Sequence, residues 1–477
     1  MRASLLAAPV LVSVVLVSAA MLPAAAQAPP GAGVFTDVST GPDGAGLDGV
    51  LRVLAAAPDG SVYAGGQFTR VGGVPAGNIA RWDGAAWRAL GTGLRRTGGF
   101  GVVDDVAVGA DGSLYAVGDF DEAGTVLAVD LARWDGAAWS AVGTGRPGGI
   151  NEAYAVAVGA DGTLYVGGRT YNGPNGEVGI VRWTGTAWSL VGAGLVGNVW
   201  ALAVGPDGSV FAGGEFLRSG SGPLADVMRW DGTAWQALGA AGGQNAVVFD
   251  LAVTAGGGLV AGGYFTAMGG VPARNVARWD GAAWSALGDP SAVPSEVYEV
   301  HVAAAGRIYV GGGYSAEDRV FLQLDGTSWT ALGPFAGVSP NMSVAVAALA
   351  ETAAGDLFVG GQFATAGGVA SPNVVRYSPA AVAAEGGPDG AALSLAVSPN
   401  PARGPVTATV TAPAGAVLVE LFDGLGRRVA RVEAGEAGEA SGSRALALPT
   451  AGLAPGLYVV RASAGRSAVT RPLVVVK

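Results

Sequence analysis

Cysteine is absent from the 477 residues, so no disulfide staples the fold, no thiol serves as a nucleophile and no cysteine ligates a metal. Histidine occurs once, at His301, which excludes a multi-histidine metal centre. Lysine also occurs once, at Lys477, and with a formal net charge of −10 there is no basic stripe to track a nucleic-acid backbone. Long apolar runs are missing too, apart from residues 5–22. That run follows Arg2 and ends in PAAAQA, small residues suited to cleavage after Ala26, which is the pattern of a secretory signal peptide over residues 1–26 rather than a membrane anchor. The expected partners therefore include no nucleic acid and no membrane span, and no cofactor or metal is expected. With nothing to cross-link the chain, stability has to come from packing and from the closure of strands.

Glycine, by contrast, is abundant at 82 residues with no period of three, which points to many tight turns between short strands. The string RWDGAAW occurs at 81–87, 133–139 and 278–284. Aligned on its first tryptophan, the chain contains Trp82, Trp134, Trp183, Trp230, Trp279, then Leu324 and Tyr377, spaced 45 to 53 residues apart. A period of this size marks propellers or solenoids. Each unit has an apolar run ending in a turn such as GADG, a second run ending in glycines such as TLYVGG, a loop, a third run ending in RW, and a fourth beginning at the second tryptophan. Aspartate-glycine pairs between apolar runs are hairpin signals, so each unit predicts a four-stranded antiparallel sheet.

The seventh unit stops at Tyr377 without a fourth strand, while VFTDVSTG at 34–41 aligns with AWRALGTG at 86–93, Phe35 standing where Trp87 does. In a ring the N-terminal strand completes the last sheet and removes its open edge, whereas an open solenoid has no use for such a permutation. The expected fold class is all-β: a seven-bladed β-propeller over residues 27–380, closed by an N-terminal strand. The repeats GGQFTRVGGVPAGNIARWDGAAWRALGTG and GGYFTAMGGVPARNVARWDGAAWSALG resemble those of kelch-like, galactose-oxidase-like bacterial propellers and of fungal cortical polarity-marker proteins. The copper-radical oxidases that share this fold need a cysteine, so the resemblance does not carry their activity to this chain.

After a Pro/Ala/Gly-rich linker at 381–392, a different pattern occupies 393–477. LAVSPNPARGPVTATV, VLVELFDGLGRRVARV, GLAPGLYVVRAS and the closing TRPLVVVK resemble, in order, the C-terminal sorting domain of the type IX secretion system. Val417, Val419 and Leu421 alternate onto one face and DGLGR at 423–427 reads as a hairpin turn, so a small immunoglobulin-like β-sandwich is expected. The resemblance implies a Bacteroidota-type route: passage into the periplasm, recognition by the type IX machinery in the outer membrane, and release or attachment at the cell surface.

Within a strict repeat, function belongs to the columns where the copies disagree. One column, at the start of each innermost strand, holds Arg52, Asp104, Tyr154, Trp200, Phe249, Tyr298 and Ala347, and the next includes Asp105, Asp250 and Glu299. A third, just after the paired small residues, includes Asp119, Arg169 and Glu215. All three should ring one mouth of the central channel, on the face where the variable loops at 169–179 and 215–226 rise. Aromatic faces beside carboxylates suit sugar rings, and Trp200 is the one tryptophan outside the two repeating columns. The expected function is an exported binding protein that recognises a glycan or a protein through this face. The alternative is an extracellular carbohydrate-active enzyme, a glycoside hydrolase or lyase, using the acidic residues at the mouth. His301 replaces an alanine found in the other six units and is expected to pack rather than to catalyse.

Overall fold

The computed structural model describes residues 33–38, 46–169, 179–192, 195–218, 225–313, 320–337 and 344–379, and, nearer the C-terminus, 394–398, 402, 404–412, 417–422, 428–434, 442–450, 452–464 and 467–475. The expected signal peptide, the linker at 381–392, the turn at 423–427 and most of the two variable loops lie outside these residues.

In the first repeat, Val50–Ala56, Val62–Gln67, Ile79–Trp82 and Trp87–Ala89 pair antiparallel in that order, from the innermost strand outward. The next repeats form the same meander with inner strands Asp105–Val108, Glu152–Val158, Val196–Val204, Val247–Val253 and Glu296–Val302. In the last repeat, Ala345–Glu351, Leu357–Gln362 and Val374–Ser378 take their fourth strand from Val34–Asp37, with Phe35 opposite Tyr377. Among the described residues this four-stranded meander recurs along the β-propeller, and the last two copies join into one eight-stranded sheet through Gly313 and Ala345.

Each letter of the repeated heptapeptide has a structural partner. Arg81, Arg133 and Arg229 reach the first-hairpin carboxylates of Asp59, Asp111 and Asp207 at 2.5, 3.2 and 2.8 Å, tying the third strand to the turn of the first two. The aspartate that follows the first tryptophan folds back on the turn: Asp83 Oδ1 accepts the N–H groups of Ala85 and Ala86 at 3.0 and 2.8 Å, and Asp135, Asp231 and Asp280 do the same. Gly84 sits at φ 98°, which side chains rarely adopt. The two tryptophans of a blade meet with ring centroids 5.2 to 5.7 Å apart.

The second tryptophan also reaches the preceding blade. The indole N–H groups of Trp139, Trp235, Trp284 and Trp329 donate to Leu90 O, Val191 O, Leu238 O and Leu287 O at 2.8 to 3.0 Å. The indole N–H of Trp188 is shielded and unbonded, but Trp87 donates to Val38 O at 2.9 Å, at the end of the N-terminal strand, so the last joint of the ring is made like those four. Around it, Leu51, Leu54, Trp82 and Trp87 of the first blade share one buried cluster with Ala348, Ala350 and Phe358 of the last. At the joint between the last two blades Phe35 fills the tryptophan's place, packing on Tyr377 and Phe335 at 4.9 and 5.8 Å. A Cβ on Gly360 would collide with Leu51 Cδ2, which shows how closely the last blade approaches the first.

Near the axis, three carboxylates bridge neighbouring blades. Asp105 accepts the N–H of its own neighbour Val106 and that of Val156 in the next blade, at 2.7 and 2.8 Å. Asp250 likewise accepts from Leu251 and from Val300, both at 2.7 Å, and Glu299 takes a backbone N–H from Leu349. These residues are partly buried, and loss of hydration pushes Asp105 up to about 7, Asp250 to about 6 and Glu299 well above the usual carboxylate range, against the opposing pull of the backbone donors.

In the C-terminal part, Ser394–Ser398, Val406–Ala412 and Gly442–Leu448 form one sheet, and Arg428–Ala434, Val417–Phe422, Gly456–Ala464 and Ser467–Val475 a second, each antiparallel and in the order given. Leu395, Val406, Ala408 and Val410 of the first share a core with Val417, Val419, Leu421, Val460 and Leu473 of the second. Val417, Val419 and Leu421 face inward, as their alternation predicts.

Two outcomes follow from this construction. Deleting residues 33–38 removes the outer strand of the last blade and the acceptor of Trp87, and is expected to lower the melting temperature by about 10 °C or more relative to a chain lacking only residues 1–26; an unchanged melt would refute closure by this strand. The carboxylates at the axis set the sign of the pH dependence. Their folded pKa values lie above the unfolded ones, so the folded state takes up protons first and stability is gained as pH falls from 8 to about 5. The turn carboxylates run the other way: Asp83 and Asp231, held down to about 2 chiefly by backbone N–H donors, withdraw stability only below about pH 4. Thermal melts from pH 3 to 8 should therefore peak near pH 5, and a melting temperature that rises steadily toward pH 8 would contradict this assignment.

Candidate functional site

The inner strands carry a bulge at the column that varies. Leu51 lies opposite Gly66 and Val53 opposite Gly65, leaving Arg52 without a counterpart, and the register skips Tyr154, Trp200, Phe249, Tyr298 and Ala347 in the same way. An extra residue in one strand bends it and re-aims its side chain. The glycine pairs opposite are part of the same device, since a Cβ on Gly66 would collide with Val50 O.

Five of the varied columns' residues and their neighbours converge on one cleft of about 720 Å³ at the mouth. Arg52, Asp104, Asp119, Tyr154 and Trp200 all line it. Tyr154 and Trp200, from adjacent blades, stack with centroids 4.4 Å apart and planes 20° apart, forming an apolar wall. Facing it are charge pairs: Arg52 with Asp104, Arg96 with Asp119, and Arg146 with Asp130 at 3.1 Å. Glu152 accepts the phenol hydrogen of Tyr154 and lies 3.9 Å from Arg169, which connects Arg169 to the cleft's edge. Burial and the Glu152 carboxylate together hold the Tyr154 phenol well above its ordinary range. Burial also raises Asp104, with the Arg52 guanidinium opposing it. Asp130 is pushed up to about 7 by burial, against the attraction of Arg146.

The remaining candidate residues lie elsewhere. Phe249 and Tyr298 meet at 5.8 Å in the fifth and sixth blades, where Tyr298 donates its hydroxyl hydrogen to Glu296 at 2.7 Å. Glu215 accepts a hydrogen bond from the Asn198 amide at 3.3 Å and is not part of the cleft lining. Asp105, Asp250 and Glu299 are the inter-blade acceptors described above, so their carboxylate oxygens are engaged by backbone. His301 Nε2 lies 3.4 Å from Glu351 Oε2 across the joint between the sixth and seventh blades.

Sequence columns alone did not single out Arg96, Asp130, Arg146, Asn151 or Glu152, all of which line the cleft. Arg96 and Arg146 sit in connections between blades, where no column aligns them. Asp130 did carry a signal. NIARW, NVARW and NVVRY place Asn78, Asn275 and Asn373 at the start of the third strand, and DLARW and DVMRW place Asp130 and Asp226 there.

Residues 396–476 match the model of the secretion system C-terminal sorting domain, and residues 57–82 match a β-propeller domain of unknown function, DUF5122. No curated protein matches the sequence. Among solved structures, the chain is similar to PorZ, an essential bacterial surface component of the type IX secretion system of Porphyromonas gingivalis, with a TM-score of 0.42 and 16% identity over 88% of this chain. It spans 58% of the length of PorZ. It is also similar to YCF48 bound to a D1 peptide (TM-score 0.44, 14% identity, 76% of this chain and 99% of that one) and to a fungal alcohol oxidase of the AA5 family in complex with copper (0.47, 13%, 93% and 99%). No helix among the described residues is long and apolar enough to cross a membrane. The chain is a β-propeller protein that carries a type IX sorting domain, and it is exported across the outer membrane to the cell surface or the medium.

Proposed function

We propose that this protein is a non-catalytic, saccharide-binding propeller, with the cleft at the mouth of its first four blades as the binding site. In this reading residues 1–26 are removed as a signal peptide, residues 27–380 form a kelch-like seven-bladed ring, and the immunoglobulin-like unit at 393–477 engages the type IX machinery by a Bacteroidota-type route. The observation that carries the reading is the stacked Tyr154–Trp200 wall set against Arg52–Asp104 and Arg96–Asp119. A pyranose ring has apolar C–H faces that pack on aromatic rings, and hydroxyls that both donate and accept, so it suits a cleft that offers a guanidinium and a carboxylate side by side. The volume of about 720 Å³ lies within the range of small-ligand sites, about 300–1,000 Å³. A flat protein epitope would call for a broader, less concave surface.

Trp200→Ala and Tyr154→Ala are expected to abolish retention on a glycan array while shifting the melting temperature by no more than about 2 °C, because both side chains are only half-buried at the mouth. Undiminished retention by both variants would overturn the assignment. Removing residues 393–477 is expected to hold the protein in the periplasm; its appearance in the medium at the native level would contradict the role given to this unit.

A further inference from the structure

Asn78, Asn275 and Asn373 share a left-handed backbone, at φ 64°, 59° and 64°, and each side chain acts as a clamp. The Oδ1 atoms accept the N–H groups of Phe68, Phe265 and Phe363 within their own blades. The Nδ2 atoms donate across the joint to the segment that leads into the next blade: to Leu94 O at 2.7 Å, to Pro294 O and Ser295 O at 2.8 Å, and to Leu47 O and Gly49 O at 2.9 Å. Asp130 has the same backbone, φ 61°, at the same place in the second blade. An ionised carboxylate has no hydrogen to donate, so this joint lacks the clamp. By position in the repeat, the carbonyls left over belong to the segment at Ile150 and Asn151, and Asn151 lines the cleft.

The substitution leaves a buried charge in the wall of the proposed site. The Asp130 side chain is 6% exposed, and its Oδ2 is shielded from solvent without a hydrogen bond, although Arg146 Nη1 lies 3.1 Å away. An unsatisfied buried carboxylate is costly; Asp226, the fourth blade's aspartate in the same column, is also buried but accepts the N–H of Ala241 at 2.7 Å, whereas no backbone donor reaches Asp130 Oδ2. The charged groups around it are Arg146 from the connection to the third blade, Arg96 from the connection to the second, Asp119 at the end of the neighbouring strand, and Glu152 on the third blade's inner strand. Arg96 is engaged by Asp119, so Arg146 is the guanidinium whose partner is the poorly satisfied one.

We propose that Asp130 is a specificity-determining switch of this cleft: ionised, it occupies Arg146, and on taking up a proton it releases Arg146 to bind the carboxylate of an anionic saccharide. The inference rests on the saccharide reading and names the class of sugar. Protonation also supplies the missing donor, since a neutral carboxyl can bridge the joint as the asparagines do. Burial places this titration near neutrality, so small changes of pH around 7 move the switch.

The test uses the full chain with polygalacturonate as the anionic probe and dextran as the neutral one. Native protein is expected to bind polygalacturonate about tenfold more tightly at pH 6 than at pH 8, the fraction of competent protein falling by that factor across the titration. Asp130→Asn restores the clamp and leaves Arg146 free at every pH. It should bind at pH 8 as tightly as native protein does at pH 6, lose the pH slope, and melt about 2–4 °C higher at pH 8. Arg146→Gln, at a half-exposed position, should fold normally and lose the affinity seen at pH 6. An Asp130→Asn variant that keeps the native slope, melts lower, or binds more weakly than native at pH 8 would overturn the switch. Native protein that ignores polygalacturonate at both pH values but is retained on dextran or another neutral glycan would overturn the anionic class and leave the saccharide site standing. Failure to bind any saccharide would overturn both.

Discussion

The structure depends on one repeated contact, an indole N–H passing from the outer strand of one blade to a carbonyl of the blade before it. Each such bond contributes only about 1 kcal/mol net, but it is made by a side chain that also buries a large apolar area in the widening gap between blades. Trp87, Trp139, Trp235, Trp284 and Trp329 make this contact, Trp87 at the joint that connects the two ends, while Trp188 packs with its indole N–H unbonded and Phe35 has no such donor. At the joint between the first and last blades the N-terminal strand supplies Val38 O to Trp87, and at the joint before it Phe35 stands in the tryptophan's place. In a chain without cysteine, this closure does the work that a staple does elsewhere.

Once the ring is closed, its mouth is free to vary. The bulge in the inner strand gives every blade but the second a side chain whose direction is decoupled from the sheet's alternation, and the glycine pair opposite it gives the bend room. Scaffold and site are therefore separated along the same strand. The half that carries the paired tryptophans and Asx turns repeats nearly letter for letter, and the half that carries the bulge changes from blade to blade. The concentration of Arg52, Arg96, Arg146 and Arg169 around one cleft in a protein of net charge −10 reflects that separation.

Much of this was legible before any coordinates. The period, the hairpin turns, the permuted last strand and the inward alternation of Val417, Val419 and Leu421 are local patterns, and local patterns survive folding when every copy agrees. The varied columns were legible as well, but not their division of labour. Asp105, Asp250 and Glu299 looked like ligand-binding carboxylates because their partners, backbone N–H groups some fifty residues away, leave no trace in the sequence. Arg96 and Arg146 carry no column signal, because the connections that hold them do not align. Asp130 shares with Asp226 a column that holds asparagine in three blades, and only its shielded, unsatisfied oxygen sets it apart.

The sequence by itself determined the blades, the order in which they join, the way the ring closes and the export address, because each is encoded by residues close together or by a pattern repeated at a fixed period. Which of the varied side chains meet was decided only by the tertiary structure. Tyr154 and Trp200 stack, and Arg52 reaches Asp104, because neighbouring blades bring the starts of their inner strands together at the mouth. Phe249 and Tyr298, from the same column, end up as a separate pair in the fifth and sixth blades. The reason is geometric: a column fixes a residue's height and direction within its own blade, and the distance between two blades' side chains depends on how tightly the joint between them closes.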